Sequence, residues 1–314
     1  STALKMQVSP VQVRVSPFRS QPIAIKDSTM NTKQEAVILV SCPDQLGLVA
    51  HLTAALHEAG CNILDAAQYT DTLTNVFIQR IHISCPLTHN TKTLQKHLQP
   101  IISEVQMKIH IRWTDETKRV AIFVSKEDHC LHDLLLLHRD GDLHCSIEMI
   151  ISNHEDLHDI AKRFGVPFHH IPVLHSGDPN AEHQQIELLQ THSIDLVVLA
   201  RYMRIFSDTF AQKFSEKIIN IHHSFLPAFA GGKPYHQAFE KGVKLIGATA
   251  HYATAELDEG PIIEQGIIRV SHKDSIKEMI RKGRDIERTV LARAVRWHLE
   301  DRIIVHNNRA IVFS

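Results

Sequence analysis

The sequence predicts an α/β protein with two domains, an N-terminal ferredoxin-like βαββαβ domain and a following doubly wound, mostly parallel sheet domain. Three observations lead to this prediction. First, short apolar runs rich in branched residues alternate with amphipathic segments. Second, the order in which predicted strands and helices follow one another changes about a third of the way along the chain. Third, a polar segment at 114–118 separates the two parts. A length of 314 residues also leaves room for two domains.

Residues 35–113 are predicted to form the first domain. The apolar run at 36–40 indicates a buried strand, and the turn after it opens a helix that ends at Gly60. Further strands are expected at 62–69, 75–85 and 107–113, with a second helix at 91–105. The resulting order, βαββαβ, is the ferredoxin-like split arrangement.

Residues 119–314 are predicted to form the second domain, after a linker at 114–118. Strands are expected at 120–125, 146–152, 167–171 and 195–200, and helices at about 130–138, 156–164 and 181–190. Such alternation favours parallel strands covered by helices on both faces. Ligands of such sheets bind at the carboxyl ends of the strands, so we expect the functional site there.

Composition excludes several classes of function. The chain has 43% apolar and 22% charged residues and a net charge of −1, with no basic field that would attract nucleic acid. We found no apolar run near the ~18 residues that a membrane span needs. Five scattered cysteines and 24 histidines show no zinc or H-E-x-x-H spacing, so we expect reduced, buried cysteines and no metal site.

The first 34 residues are predicted to be a disordered extension or a targeting segment. Residues 1–29 are basic and contain no acid before Asp27, which is typical of an organellar transit peptide. Three prolines oppose the amphipathic helix of such a peptide and favour an extension that precedes a start at Met30. We therefore expect a cytoplasmic location, with a mitochondrial one as the alternative.

An apolar strand at 218–221 ends in a cluster of polar side chains, and an acidic residue beside a Gly-Pro turn follows later in the chain. The segments are Asn220-Ile221-His222, Leu226-Pro227 and Asp258-x-Gly260-Pro261. Together they resemble the signature of the folate-dependent formyltransferase-fold family. The resemblance covers about 118–305 and includes 199–205 and 247–252. It implies a site for 10-formyltetrahydrofolate, as substrate and not as a bound cofactor.

The chemistry of a formamide assigns a role to each member of a catalytic group, Asn220, His222 and Asp258. The amide of Asn220 can donate to the formyl oxygen. A protonated His222 can stabilise the oxyanion or pass a proton to the leaving nitrogen. The carboxylate of Asp258 can accept from the attacking water and hold the imidazole charged. This chemistry requires no metal or other cofactor.

The resemblance also implies a pocket for the pterin ring, in which backbone groups of two segments bind the ligand. The expected residues are Arg204, Ile205 and Phe206 in one segment, Ala253, Thr254, Ala255 and Leu257 in the other, and His223 beside the catalytic group. Core packing is the alternative for Met203 and Phe206. A packing role is the alternative for His223, which occupies a position where transformylases of the family carry proline.

The surroundings favour a deformylase over a transferase. The turn at 125–129 has no glycine and two carboxylates, unlike a phosphate cradle for a ribonucleotide acceptor. Without an acceptor site, water is the expected acceptor, and the resemblance implies a reaction that gives formate and tetrahydrofolate. Such an enzyme would supply formate for purine synthesis and balance the one-carbon pool. A formyltransferase that uses an amine acceptor and a non-catalytic folate- or amino-acid-responsive regulator are the alternatives.

The first domain resembles the ACT domain, a small amino-acid-sensing module. The resemblance rests on four residues at the first strand–helix turn, Asp44, Gln45, Gly47 and Leu48. Backbone N–H groups at a helix N-terminus can hold a small carboxylate. Glycine or methionine is the expected effector, a homo-oligomer the expected assembly, and a dimerisation module that binds nothing the alternative. Nucleic acid and membrane are not expected partners.

Overall fold

The computed structural model describes residues 33–228 and 234–314. The segment 1–32, which contains nearly all of the predicted extension, lies outside the described residues. The first domain consists of β1 Lys33–Pro43, α1 Leu48–Glu58, β2 Asn62–Asp71, β3 Val76–Pro86, α2 Thr91–Val105 and β4 Lys108–Trp113. The prediction of an extension through residue 34 is wrong at its end, because Lys33 and Gln34 pair with Pro86 and Cys85 in the sheet.

The sheet of the first domain confirms the ferredoxin-like prediction. Its strand order is β2-β3-β1-β4, and the pairs β1–β3, β1–β4 and β2–β3 are all antiparallel. Helices α1 and α2 supply buried leucines to a core that also contains Ile38, Val40 and Trp113. In α1 these are Leu48, Leu52 and Leu56, the face that the sequence indicates.

The second domain begins with β5 Lys118–Val124, so the predicted linker is one residue too long. Lys118 pairs in register with Cys145, and its ammonium group lies 2.7 Å from Asp301. The following elements are α3 His129–Arg139, β6 Cys145–Ser152, α4 His158–Phe164, β7 Phe168–His170, α5 Pro179–Thr191, β8 Leu196–Leu199 and α6 Asp208–Lys213. The remainder are β9 Ile218–His222, α7 Pro234–Glu240, β10 Leu245–Tyr252, β11 Ile262–Arg269, α8 Ile276–Leu299, β12 Ile303–His306 and β13 Arg309–Val312.

Seven strands form the main sheet in the order β11-β10-β9-β8-β5-β6-β7. Strands β5 to β9 are parallel, and β10 and β11 extend the sheet antiparallel, which confirms the mostly parallel, doubly wound prediction. Alternate residues of β5 enter two different cores: Val120 and Ile122 pack on one face, Ala121 and Phe123 on the other. Burial on both faces explains the continuous apolar runs of these strands.

Helix α8 fixes one wall of the site. It begins with a capping box between Ser275 and Glu278 and packs against β9, β10 and β11. Gly283 lies against the phenol of Tyr235, where any side chain at position 283 would collide with the ring. This close approach brings α7 next to α8 and places Tyr235 near Glu287 one turn further along.

The two domains contact each other at the C-terminal end of α8. The guanidinium of Arg80 in β3 donates to the backbone carbonyl groups of Glu300 and Asp301, at 3.3 and 3.0 Å. The Asp301 carboxylate pairs with Lys118 and with Arg112 of β4, at 2.7 and 3.4 Å. Within 33–228 and 234–314, no helix is long and apolar enough to cross a membrane.

Candidate active site

The catalytic residues predicted from the sequence converge at the carboxyl end of β9. Asn220 and His222 are two residues apart on this strand and therefore point to the same side of the sheet. Asp258 comes from the loop between β10 and β11 and adopts a left-handed backbone conformation, with φ of 60°. A non-glycine residue in this region is strained, and such strain is concentrated at functional sites.

A close approach of backbone to backbone holds the loop of Asp258. The amide of Tyr252 donates to the carbonyl oxygen of Pro261, at 2.9 Å. Gly260 lies directly against the carbonyl oxygen of Tyr252, so any other residue would collide there. The Asp258-x-Gly260-Pro261 pattern is thus the local requirement for folding the loop back onto the end of β10.

Two histidines hold the carboxylate of Asp258. His222 Nδ1 lies 3.1 Å from Oδ2, and His251 Nε2 lies 3.7 Å from Oδ1. Burial raises the pKa of Asp258, but the hydrogen bond of His222 and the proximity of His251 lower it more, so the pKa lies well below its usual range. Asp258 is therefore ionised at neutral pH and can act as a hydrogen-bond acceptor.

His251 was not predicted as a site residue, although its segment belongs to the family resemblance. Its Nε2 lies 3.2 Å from the amide nitrogen of Asn220, and its Nδ1 lies 3.0 Å from the carbonyl oxygen of Tyr252. An amide nitrogen is a donor and a carbonyl oxygen an acceptor, so the neutral ring carries its proton on Nδ1. The available signals were a polar residue inside the buried strand β10 and the resemblance of its segment to the family.

The imidazole of His222 has one nitrogen available for chemistry. Its side chain is 7% exposed, and Nε2 has no hydrogen-bond partner within the described part of the chain. Because Nδ1 contacts Asp258, this second nitrogen is directed away from the carboxylate. Burial, and then the positive charge of Arg201, lower the pKa of the adjacent His223 to about 4, so His223 is neutral at physiological pH.

A cavity of about 300 Å³ opens beside the catalytic group, and we call it the folate pocket. Of the residues predicted to bind the pterin, the following line it: Arg204, Ile205, Phe206, Ala253, Thr254, Leu257 and His223. Ala255 is exposed and lies outside this lining, so its part in binding stays a prediction. Its neighbours Thr254 and Glu256 line the cavity.

The walls of the folate pocket suit a flat, partly apolar ligand. Phe206 stacks on Phe210 with a ring separation of 3.9 Å, and Tyr202 stacks on Phe206 at 5.5 Å. Met203 is 56% exposed and lines the pocket, which excludes the core-packing alternative for this residue. Its backbone amide donates to Ser125 Oγ at 3.1 Å, which ties the loop after β8 to the end of β5.

The predicted regulatory residues lie at the turn between β1 and α1. Gly47 has φ of 88° and precedes α1, whose first turn lacks a side-chain cap from any described residue. The amide of Asp44 donates to the carbonyl of Asn75, Gln45 is exposed, and Leu48 is buried in the core of the first domain. The turn thus presents uncapped backbone N–H groups, as a carboxylate site would require.

Fold and site together define a folate-dependent formyl-transfer type of enzyme with an ACT domain. The comparisons support this class: residues 118–295 match the formyl transferase family and residues 36–93 match the ACT domain family. A formyltetrahydrofolate deformylase of Synechocystis sp. is 49% identical over 280 residues, which cover 89% of this chain and 98% of that protein.

Solved structures give the same assignment. A crystal structure of a formyltetrahydrofolate deformylase from Pseudomonas syringae pv. tomato has a TM-score of 0.85 and 42% identity, over 91% of this chain and 96% of that one. A glycinamide ribonucleotide transformylase of Symbiobacterium toebii has a TM-score of 0.61 and 30% identity, but covers only 64% of this chain and 97% of that one. The chain belongs to the formyltetrahydrofolate deformylase family, whose members are hydrolases.

Proposed function

We propose that this chain hydrolyses 10-formyltetrahydrofolate to formate and tetrahydrofolate, with Asn220, His222 and Asp258 as its catalytic residues. The observation that carries the proposal is the hydrogen-bonded pair of His222 and Asp258, 3.1 Å apart, on the wall of the folate pocket. The carboxyl end of a parallel strand is where this architecture binds its ligands.

The proposed catalytic residues can accept and donate the protons that the hydrolysis transfers. Water adds its oxygen to the formyl carbon and passes one proton to the carboxylate of Asp258. The C–N10 bond then breaks as N10 takes up this proton by way of His222, whose Nδ1 lies 3.1 Å from Asp258, and the formic acid formed loses its proton to solvent to give formate. Before that last step the protein groups named here supply each proton acceptor and donor, so we propose that the reaction needs no cofactor.

Asn220 is suited to stabilise the oxyanion. An amide nitrogen has two N–H donors. One is directed to His251 Nε2 at 3.2 Å, which leaves the other for the formyl oxygen as it gains charge. We assign His251 as a positioning residue, because it contacts both Asn220 and Asp258 and is only 2% exposed. Preorganised donors of this kind are usually worth about 10²–10³-fold in rate.

The decisive experiment uses the full chain with 10-formyltetrahydrofolate and no added amine. We expect equal amounts of formate and tetrahydrofolate to appear with time. If formate or a formylated product appears only when an amine is added, the chain is a transferase. Stoichiometric binding of the folate without turnover would instead establish a regulator, and either result would refute the deformylase proposal.

We also propose that the turn formed by Asp44, Gln45, Gly47 and Leu48 binds a small amino acid that regulates hydrolysis. The uncapped start of α1 supports this assignment, and glycine and methionine are the candidate effectors because they are products of one-carbon metabolism. Titration of each amino acid into the activity assay tests the proposal. A flat response to both would support the alternative, a module that serves assembly alone.

The expected assembly is a homo-oligomer that forms through the first domain. Large apolar side chains are exposed there, among them Leu46, Leu64, Tyr69 and Leu73, and β2 is an edge strand of its sheet. Light scattering coupled to size-exclusion chromatography tests this expectation.

All five cysteines are free and buried, which fits the proposed reducing cytoplasm. There the formate released would serve purine synthesis.

A further inference from the structure

A second cavity of about 230 Å³ adjoins the folate pocket. Arg201 and His223 line both cavities, so these two side chains form the boundary between them. We call the second space the Arg201 cavity. The rest of its lining is largely polar and includes Glu127, His129, Tyr235, Arg284 and Glu287. No step of the proposed hydrolysis uses these residues.

Glu287 is the most deeply buried charged group of this cavity, at 1% exposure. It accepts hydrogen bonds from Tyr235 at 2.6 Å and from His129 at 2.8 Å. Burial raises the pKa of Glu287, but the hydrogen bond of His129, the charge of Arg201 and the hydrogen bond of Tyr235 lower it to about 2. The carboxylate is ionised, and both of its oxygens already have partners.

The guanidinium of Arg201 has hydrogen-bond donors that no described residue accepts. Its Nε lies 3.4 Å from Glu287, close enough for an ion pair, yet neither Nε nor Nη1 forms a hydrogen bond with any described residue. Both nitrogens are buried, and the side chain is only 12% exposed. Leaving guanidinium donors buried and unpaired costs free energy, which a carboxylate ligand would recover with paired hydrogen bonds.

Hydrolysis would generate such a carboxylate within reach. The formate forms beside Asp258, whose negative charge repels it. Arg201 lines the same pocket and carries the opposite charge. An anion of three non-hydrogen atoms fits a space of about 230 Å³, whereas the larger tetrahydrofolate remains in the folate pocket.

We infer that the Arg201 cavity is a formate subsite, in which Arg201 binds the product carboxylate and Tyr235 and Glu287 position the guanidinium. The inference rests on the proposed hydrolysis. It implies that the two products separate across the Arg201–His223 boundary, with formate on one side and tetrahydrofolate on the other. Arg201 is then the group that draws the anion away from Asp258.

The same cluster includes a possible cation site, formed by His129, Cys130 and Glu287, whose ligand atoms lie within 4.8 Å of one another. The contacts oppose this use. Glu287 is bonded to Tyr235 and His129, burial raises the pKa of the Cys130 thiol well above its usual range, and the Arg201 cation lies beside the carboxylate. These features favour an anion over a metal ion.

Formate affinity tests the inference directly. Sodium formate is titrated into the full chain by calorimetry, with sodium chloride as the ionic control, and formate is also tested as an inhibitor of hydrolysis. We expect the wild type to bind formate in preference to chloride. Arg201→Gln should weaken binding by at least about tenfold. Arg201→Lys should weaken it by less, because lysine keeps the positive charge but lacks the paired N–H donors of a guanidinium group. The exposed Arg281→Gln is the matched control and should bind formate like the wild type.

A second variant distinguishes the Arg201 cavity from the folate pocket. Tyr235 lines only the former of the two and donates to Glu287, so Tyr235→Phe leaves more negative charge on the carboxylate beside Arg201. The inhibition constant for formate should therefore rise at least about threefold more than the KM for the folate. If both constants change equally, formate binds only where it is formed and the subsite is refuted.

The outcomes separate the two proposals. A wild-type chain that releases no formate refutes the hydrolysis, while the calorimetric titration still measures formate binding. A wild-type chain that hydrolyses the folate but binds formate no better than chloride refutes the subsite alone. So does equal formate affinity in the wild type and Arg201→Gln. If Arg201→Gln does not fold, as judged by circular dichroism, Arg201→Lys decides the question by the same comparison.

Discussion

Two loops of the molecule each follow a strand and carry an acidic residue that the sequence identifies as functional, but they are held in different ways. Asp258 has a side chain that is 11% exposed and lies between His222 and His251, residues from two other positions in the sheet. Asp44 precedes α1 at a turn where Gln45 and Leu46 are exposed to solvent. The first loop is fixed by long-range contacts, and the second mainly by its own backbone.

This difference matches the role proposed for each loop, catalysis for the Asp258 loop and regulation for the Asp44 turn. A group that must act on a transition state has to be held in place before the substrate arrives, because every interaction must already be aimed at the developing charge. A regulatory turn needs only to bind a small molecule reversibly. Substitutions in the Asp258 loop should therefore change rates by orders of magnitude, and substitutions in the Asp44 turn should have modest effects.

Asp258→Asn should have the largest effect. The amide retains the shape of the carboxylate but loses its charge and one acceptor, so it can neither accept the proton from water nor pass it to His222. We expect kcat to fall about 10³-fold, within the range for loss of a charged acid–base group. The measurement is formate release under saturating folate, with the thermal midpoint as a check on folding. A variant that kept at least a tenth of the wild-type rate would contradict the role of Asp258.

The pH dependence of the free energy of unfolding should show the cost of burying the imidazole of His223. Burial and Arg201 lower the folded-state pKa to about 4, below its ordinary value. Between these two values the unfolded chain binds a proton that the folded chain does not, so stability is lost as pH falls towards 4. We expect a loss of about 3 kcal/mol over this range from His223 alone.

Urea unfolding at several pH values measures this contribution as the difference between the wild type and His223→Asn. The asparagine variant removes the titrating group, so its free energy of unfolding should fall less between neutral pH and pH 4. Equal slopes for the two proteins would show that His223 is not held neutral by its surroundings.

His251→Gln should have a smaller effect, because His251 contacts catalytic groups and not the substrate. Glutamine can still receive the amide of Asn220 but cannot contact Asp258 in the same way. We expect kcat to fall about tenfold with little change in the folate KM, and the acidic limb of the pH–rate profile to shift. An unchanged pH profile together with a lower melting temperature would indicate a purely structural residue.

The sequence was sufficient for the order and type of the elements that it assigned, because apolar periodicity is a local signal. The proposed catalytic group, Asn220, His222 and Asp258, came from the resemblance to a family signature. The sequence was insufficient where a tertiary contact decides. Lys33 and Gln34 join β1 because β3 is long enough to pair with them, and Lys118 joins β5 through its register with β6.

Arg201 illustrates the same limit within the site. The residue is adjacent to the predicted pterin segment, yet only the packing of α8 against the sheet brings Glu287 to within 3.4 Å of it. Nothing in the local sequence links two residues 86 positions apart. Ala255 shows a different limit: its segment was assigned as a whole, whereas only some members of the loop line the pocket.

The smallest effect is expected at the other loop of the comparison, from Gly47→Ala. Gly47 has φ of +88°, and a Cβ there would meet only the flexible ring of His51 at 3.5 Å, so the cost comes from backbone conformation and not from a clash. We expect the free energy of unfolding to fall by about 1 kcal/mol. The concentration of glycine or methionine that gives half its effect should rise a few-fold, because the strained turn no longer presents the N–H groups of α1 in the same geometry. Chemical denaturation and an effector titration on the same preparation measure both quantities. A loss of stability without any change in effector response would place the amino-acid site away from this turn, and the contrast between the two loops would then be one of structure alone.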